Sequence, residues 1–172
     1  EVIDPYLLDL PAVVSFSGGR TSGFMLRKIL DAHGGQPDDL KVVFNNTGLE
    51  VEETLGFVKE CAEEFDCDIT WLEYCVTAGE HDFKIVDFET ASRKGEPFTA
   101  LIKKRGHLPS PVSRICSVNL KMRTSDRYLR TLPGFEEGYT NAVGLRADEP
   151  RRVARLQPDN AREEMECPLA RA

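Results

Sequence analysis

Residues 11–22 set a short apolar run directly before a turn of small side chains, and this pairing restricts the fold more than any other stretch. Pro11-Ala12-Val13-Val14-Ser15-Phe16 reads as a buried strand, and Phe24, Met25, Leu26, Ile29 and Leu30 then recur at helical spacing as far as Gly34-Gly35. Ser17-Gly18-Gly19-Arg20-Thr21-Ser22 therefore joins the carboxyl end of a strand to the amino end of a helix. There the first helical N–H groups lack partners within the helix and the positive end of its dipole converges on them. An anion of phosphate size is the natural occupant. The glycines permit close backbone approach, and Ser17, Thr21 and Ser22 add hydroxyl donors. The spacing matches neither G-x-x-x-x-G-K-[ST] nor G-x-G-x-x-G, so a different phosphate loop is needed.

Onward, Lys41-Val42-Val43-Phe44-Asn45 is a second short strand, and the acidic turn after it opens a helix with Leu55, Val58, Cys61, Ala62 and Phe65 facing inward. A third strand is expected over 69–75, ending at Cys75, and the next clear one over 138–144. Between them, 77–132 is a long excursion with short helices over 97–104 and 119–129. This alternation predicts an α/β fold: an open, mainly parallel, twisted sheet with helices on both faces, and a helical excursion before the last strand. No repeat or linker divides the chain, so residues 1–172 are expected to form one domain, with the natural chain able to continue beyond Ala172. In open α/β sheets ligands gather beyond the carboxyl ends of the strands, which brings together the loops after Phe16, Asn45 and Gly144.

The net charge of −7 conceals an asymmetry: residues 1–100 carry 20 acidic and 8 basic side chains, residues 101–172 carry 9 and 14. The second part is the expected anion-binding half. Lys103-Lys104-Arg105 and Arg151-Arg152 fit solvated faces equally well. Arg123, Arg127 and Arg130 fall at helical intervals, and one stripe of them would suit a second phosphate, a sulfate or an RNA or DNA backbone. Cys61, Cys67, Cys75, Cys116 and Cys167 form no C-x-x-C pair and are expected as reduced thiols. Cys116 stands apart, beside Arg114 and before a basic helix, where a thiolate is favoured. His33, His81 and His107 lack metal-ligand spacing, and no metal site is assigned. No apolar run approaches the roughly 20 residues that cross a bilayer, and the acidic start lacks a signal-peptide layout, so a cytoplasmic location is expected.

Ser17-Gly18-Gly19-Arg20-Thr21-Ser22 resembles the S-G-G-x-D-S loop of the PP-loop ATP pyrophosphatases, the adenine nucleotide α-hydrolase superfamily that includes the phosphoadenosine phosphosulfate (PAPS) reductases. The resemblance continues through Asn46-Thr47-Gly48-Leu49-Glu50 with Glu53-Thr54, Arg114-Ile115-Cys116 with Leu120-Lys121, and Gly144-Leu145-Arg146-Ala147-Asp148-Glu149. These segments are similar to T-G-x-x-x-x-E-T, R-x-C-x-x-x-L-K and G-x-R-x-D-E of PAPS reductase-like proteins, especially small phage and bacterial ones. Arg20 stands where lysine is frequent and Thr21 replaces the aspartate. The E-C-G-[IL]-H segment that carries the reductase nucleophile is absent from this sequence, as are the paired cysteines of the iron–sulfur enzymes.

The resemblance implies an adenine nucleotide, PAPS or ATP, bound by Ser15 to Ser22, by Asn45, Asn46, Thr47 and Gly48, and by Gly144, Arg146, Asp148 and Glu149. Adenine would lie near Phe16 and residues 44–46, with phosphates over 17–22. Arg114, Lys121 and Arg146 would neutralise the polyphosphate or sulfonate, and Asp148 and Glu149 would accept hydrogen bonds or hold Mg²⁺ in an ATP-dependent reaction. Cys116, with Arg114 and Lys121, is the catalytic candidate for sulfonucleotide reduction. The alternatives are adenylation of a second substrate with release of pyrophosphate, or nucleotide binding without catalysis. A thiol redox partner or a nucleic-acid substrate, and assembly as a homo-oligomer, are the expected partners; an iron–sulfur cluster would need cysteines from a longer chain.

Overall fold

The computed structural model describes residues 4–108, 117–158 and 160–172. Its first half repeats one unit: β1 (Ala12–Ser15), α1 (Arg20–His33), β2 (Leu40–Asn45), α2 (Glu52–Glu64) and β3 (Ile69–Thr77). There follow β4 (Glu80–Val86), α3 (Glu96–Arg105), a π-helical segment (Ser117–Met122), α4 (Arg123–Leu129), β5 (Tyr139–Val143), α5 (Pro150–Val153), β6 (Glu163–Glu166) and α6 (Pro168–Arg171). The six strands form one sheet in the order β4-β3-β2-β1-β5-β6, parallel throughout except where β4 folds back antiparallel on β3.

Alternation along the central strands divides the core into two layers. Ala12 and Val14 of β1, Val42 and Phe44 of β2 and Ala142 of β5 face α1 and α2, meeting Met25, Leu26, Ile29, Leu55 and Val58. Val13, Val43 and Leu72 face the other way, against Tyr128 and Leu129 of α4 and Phe135. A smaller cluster of Tyr74, Leu101 and Leu120 fastens α3 and the π-helical segment over β3. Helices thus cover both faces of the sheet, as the alternation predicts. Gly34, in the left-handed region at φ 69°, ends α1 where the double glycine predicts a stop.

Four expectations change. The excursion after β3 begins with a strand, because Ala78 and Gly79 both take positive φ (51° and 78°) and turn the chain in a two-residue hairpin with Thr77 opposite Glu80. β4 and the acidic β6, Glu-Glu-Met-Glu, are edge strands, too polar to announce themselves by apolar alternation. Cys75 does not end β3, which runs on to Thr77. Phe24 is 54% exposed, on the outer side of α1.

Candidate functional site

The chain travels from β1 outward to β2 and β3, then returns to place β5 and β6 on the opposite side of β1. At such a reversal the loops leaving two neighbouring strands diverge and leave a crevice at their carboxyl ends. Residues 17–22, after β1, and 144–149, after β5, stand at this crevice. They are in contact: a Cβ on Gly144 would lie 3.3 Å from Cβ of Ser22.

Gly18 holds φ +76°, and a Cβ there would come within 2.7 Å of Thr54 Cγ2, 3.1 Å of Val58 Cγ2 and 3.3 Å of Phe44 Cε2. The loop therefore rests on α2 and the end of β2, and the first glycine of the motif is a packing requirement as much as a conformational one. Ser22 is buried, and its hydroxyl donates to the Gly19 carbonyl (3.0 Å). With that proton committed, Ser22 Oγ accepts from the Ser17 hydroxyl (2.9 Å) and from the Ser17 N–H (3.3 Å). The hydroxyls of Ser17 and Ser22 thus stitch the loop together. Gly19 caps α1 without a side-chain bond, and the first turn of α1 contains no acidic residue. Arg20 is exposed at that turn and has no carboxylate partner among the described residues; Thr21 lies half-buried beside it. Phe16 is buried and donates its N–H to the Val43 carbonyl, while Ser15 Oγ donates to Asn141 Oδ1 (2.7 Å), tying β1 to β5.

After β2 the loop is held from below. Asn46 is fully buried, donating Nδ2 to Glu73 Oε1 (2.8 Å) and to the Ser92 carbonyl (2.9 Å) while its Oδ1 receives the Gly48 N–H (3.1 Å). Glu73, fully buried in β3, also accepts from the Ser92 N–H and hydroxyl and from Lys84 Nζ. Gly48 holds φ +78° with its carbonyl receiving the Gly95 N–H (2.9 Å), and a Cβ would collide with Gly95 Cα at 2.9 Å. Thr47 Oγ1 bonds Glu50 and the Leu49 N–H. Asn46, Thr47 and Gly48 accordingly shape this loop. Asn45 differs: its Nδ2 donates to Ser125 Oγ (2.8 Å), and its buried Oδ1 has no partner among the described residues. Glu73 and Ser125 were missed from the sequence; a lone glutamate within the apolar run Trp71-Leu72-Glu73-Tyr74 was the available signal for the first.

In the third loop Arg146 grips Asp148 with two bonds (Nε to Oδ1 2.8 Å, Nη2 to Oδ2 2.9 Å), and Glu149 accepts the Arg146 N–H and pairs with Arg152. The Arg146 guanidinium holds the Asp148 carboxyl below its usual range, and the Arg146 N–H, with Arg152, does the same for Glu149. A divalent cation here would have to displace a guanidinium from both Asp148 oxygens, and no group of three or more acidic, His or Cys side chains among the described residues could hold a metal. Occupation by Mg²⁺ would therefore require Arg146 to leave Asp148.

Lys121 is exposed on the π-helical segment without a carboxylate partner among the described residues, whereas Arg114 and Cys116 lie outside the described residues. The other four thiols are free, and burial raises the pKa of each, to about 11 for Cys61 and Cys67. The expected arginine stripe is mostly neutralised: Arg127 pairs with Asp82 and Arg130 with Asp126, leaving Arg123.

The sequence profile of the phosphoadenosine phosphosulfate reductase domain matches residues 11–170. The chain belongs to this family. The chain is 32% identical over 147 residues to the uncharacterized nin region protein ORF290 of Escherichia phage lambda, covering 82% of this chain and 50% of that protein. Two uncharacterized proteins of Methanocaldococcus jannaschii match at 29% over 119 residues (67% of this chain, 22% of that protein) and 30% over 139 residues (81% and 23%). The PAPS reductase domain here thus spans half the length of the phage relative and under a quarter of the archaeal ones. No helix among the described residues is long and apolar enough to cross a membrane.

Proposed function

We propose that this domain binds PAPS or ATP with its phosphates over residues 17–22 and acts on the bound nucleotide by sulfonucleotide reduction or α-phosphate chemistry. What carries this is the amino end of α1: uncapped by any side chain, free of acidic residues in its first turn, and set at the crevice between β1 and β5. Backbone N–H groups there suit phosphate oxygens, and Arg20 and Lys121 supply charge not already spent on a carboxylate of the described residues. Arg146, engaged by Asp148, would have to exchange that partner for the nucleotide.

In the reductive branch the Cys116 thiolate attacks the sulfonate sulfur. An S–S bond forms as the S–O bond to the phosphate breaks, and adenosine bisphosphate leaves with the electron pair. An external dithiol then attacks the Cys116 sulfur, releasing sulfite, and its second thiol restores Cys116 as the dithiol becomes a disulfide. Among the cysteines, Cys116 alone stands in a cationic sequence, and burial keeps the other four protonated near neutral pH. In the alternative branch an oxygen of a second substrate attacks the ATP α-phosphate and pyrophosphate leaves. The phosphate loop, whose positions are kept better than the reductase tail, favours this second reading.

Incubation with PAPS plus a dithiol, and separately with ATP, distinguishes the branches by their products. Sulfite, adenosine bisphosphate and a Cys116 thiosulfonate adduct that is lost in Cys116→Ser support reduction. AMP and pyrophosphate formed equally by wild type and Cys116→Ser support adenylation. Binding of both nucleotides without turnover refutes both and leaves a binding module.

A further inference from the structure

Most arginines of this acidic chain have found a carboxylate: Arg27, Arg93, Arg127, Arg130, Arg146, Arg152, Arg162 and Arg171 each form an ion pair. The end of α3 and the start of α4 are different. Arg105 Nη2 donates to Asn119 Oδ1 at 2.8 Å, and Arg123 Nη1 approaches the same oxygen at 3.5 Å. Two guanidinium groups are thereby drawn to a single neutral acceptor, and neither meets a carboxylate among the described residues. Lys103 and Lys104, exposed on the same last turn of α3, are likewise without an acidic partner among those residues.

The surroundings preserve this concentration of charge. His81 stacks edge-on against Tyr74 (ring centroids 4.8 Å apart) and places Nε2 3.2 Å from Thr124 Oγ1. Burial, then Lys104, Arg123, Arg127 and Arg105, lower the His81 pKa. The Tyr74 hydroxyl is buried without a hydrogen-bond partner among the described residues. Of the two acidic side chains on the adjoining strand, Asp82 is taken up by Arg127, and the exposed Glu80 forms no ion pair with Arg105 or Arg123. The patch stands near the carboxyl end of β3, the end of the sheet that also carries residues 17–22.

We propose that the face formed by the end of α3 and the start of α4 binds the phosphate backbone of a nucleic-acid strand, with Arg105 and Arg123 as the central contacts and Lys103 and Lys104 extending them. The choice of a strand over a small anion follows from exposure. All four cations are solvent-exposed, and an isolated phosphate held by exposed side chains gains little against water and salt. A polyanion gains additionally by releasing condensed counterions at each contact. The charge continues from the three consecutive cations that end α3 onto the first residue of α4, so it can meet more than one phosphate. The contacts carry no base-reading geometry, so sequence preference is not expected. This surface does not depend on the nucleotide proposed at residues 17–22.

The test is fluorescence anisotropy of the whole chain, without nucleotide, against labelled single-stranded RNA and DNA over a range of salt. Wild type should bind, and Arg105→Gln/Arg123→Gln should lower the slope of log affinity against log salt by about 1.4, with a roughly tenfold or greater loss near 0.1 M salt. Arg27→Gln/Lys28→Gln removes equal charge from α1 and should leave the slope unchanged. Lys103→Gln/Lys104→Gln, which breaks no hydrogen bond of the described structure, should weaken binding in the same direction and serves if the arginine pair fails to fold. Absence of binding by wild type at about 50 mM salt overturns the proposal. So does an equal effect of the α1 pair, or binding of inorganic phosphate through Arg105 and Arg123 without binding of either strand.

Discussion

Replacing Gly18 by alanine challenges the phosphate loop at its most crowded point. The new Cβ would stand 2.7 Å from Thr54 Cγ2, and the backbone would hold an L side chain at φ +76°. The left-handed conformation costs about 1–2 kcal/mol and overpacking about 1–3 kcal/mol, so roughly 3 kcal/mol is expected in all. For a chain of this size that lowers Tm by about 6–12 °C. The two contributions separate, because Thr54→Ser deletes the methyl that the new Cβ meets but leaves φ untouched. Thermal and urea unfolding of Gly18→Ala, Thr54→Ser and the double variant should therefore show a coupling of about 1 kcal/mol or more, with the double variant more stable than Gly18→Ala alone. A Gly18→Ala protein as stable as wild type, or no coupling with Thr54, would refute the packing of this loop on α2.

Glu73→Ala should destabilise by about 2–4 kcal/mol in urea unfolding, since it strands the buried Asn46 amide and Ser92 N–H, and it should also weaken nucleotide binding by loosening the loop after β2. A wild-type-like midpoint would contradict that anchoring. Cys61 and Cys67, raised by burial to about 11, stay protonated in the folded chain after the unfolded thiols ionise near pH 8.5. Their contribution to stability is thus fully present below about pH 8.5 and lost as pH rises towards 11. Cys61→Ala/Cys67→Ala should flatten the alkaline limb of the stability profile, and alkylation of the two thiols in the folded protein should be slow near pH 8; rapid labelling there would contradict their burial.

The sheet was legible where its strands are apolar and its helices amphipathic. β1, β2, β3 and β5, α1 and α2 follow from periodicity because both faces of the central strands are buried. β4 and β6 escape that signal as polar edges, one of them turned by Ala78-Gly79, in which alanine adopts a conformation that sequence ordinarily assigns to Asn, Asp or Gly. The motifs located the loops correctly, but not the division of labour within them. Ser22 and Asn46 look like ligand donors from their types, yet their partners, the Gly19 carbonyl and the Glu73 carboxylate, become visible only in three dimensions. The charge at 123, 127 and 130 was legible as a helical stripe, but the carboxylates that cancel two of its members come from the same helix and from β4.

Titration calorimetry with ATP and with PAPS, on wild type and on Ser17→Ala/Gly19→Val, asks most directly whether residues 17–22 hold the nucleotide. A Cβ on Gly19 would have only Ser17 Oγ within 4 Å, at 3.7 Å, and its φ of −97° suits any residue, so the substitution obstructs the approach of a phosphate without straining the fold. Wild type should bind at least one of the two nucleotides saturably. The folded double variant should bind it at least about tenfold more weakly, because the valine keeps the phosphate from backbone N–H groups whose charged hydrogen bonds are worth about 1.5–3 kcal/mol, while the alanine deletes the Ser17–Ser22 bond that shapes the loop. Equal affinity in the two proteins, or no binding of either nucleotide by wild type, would contradict the assignment of this loop.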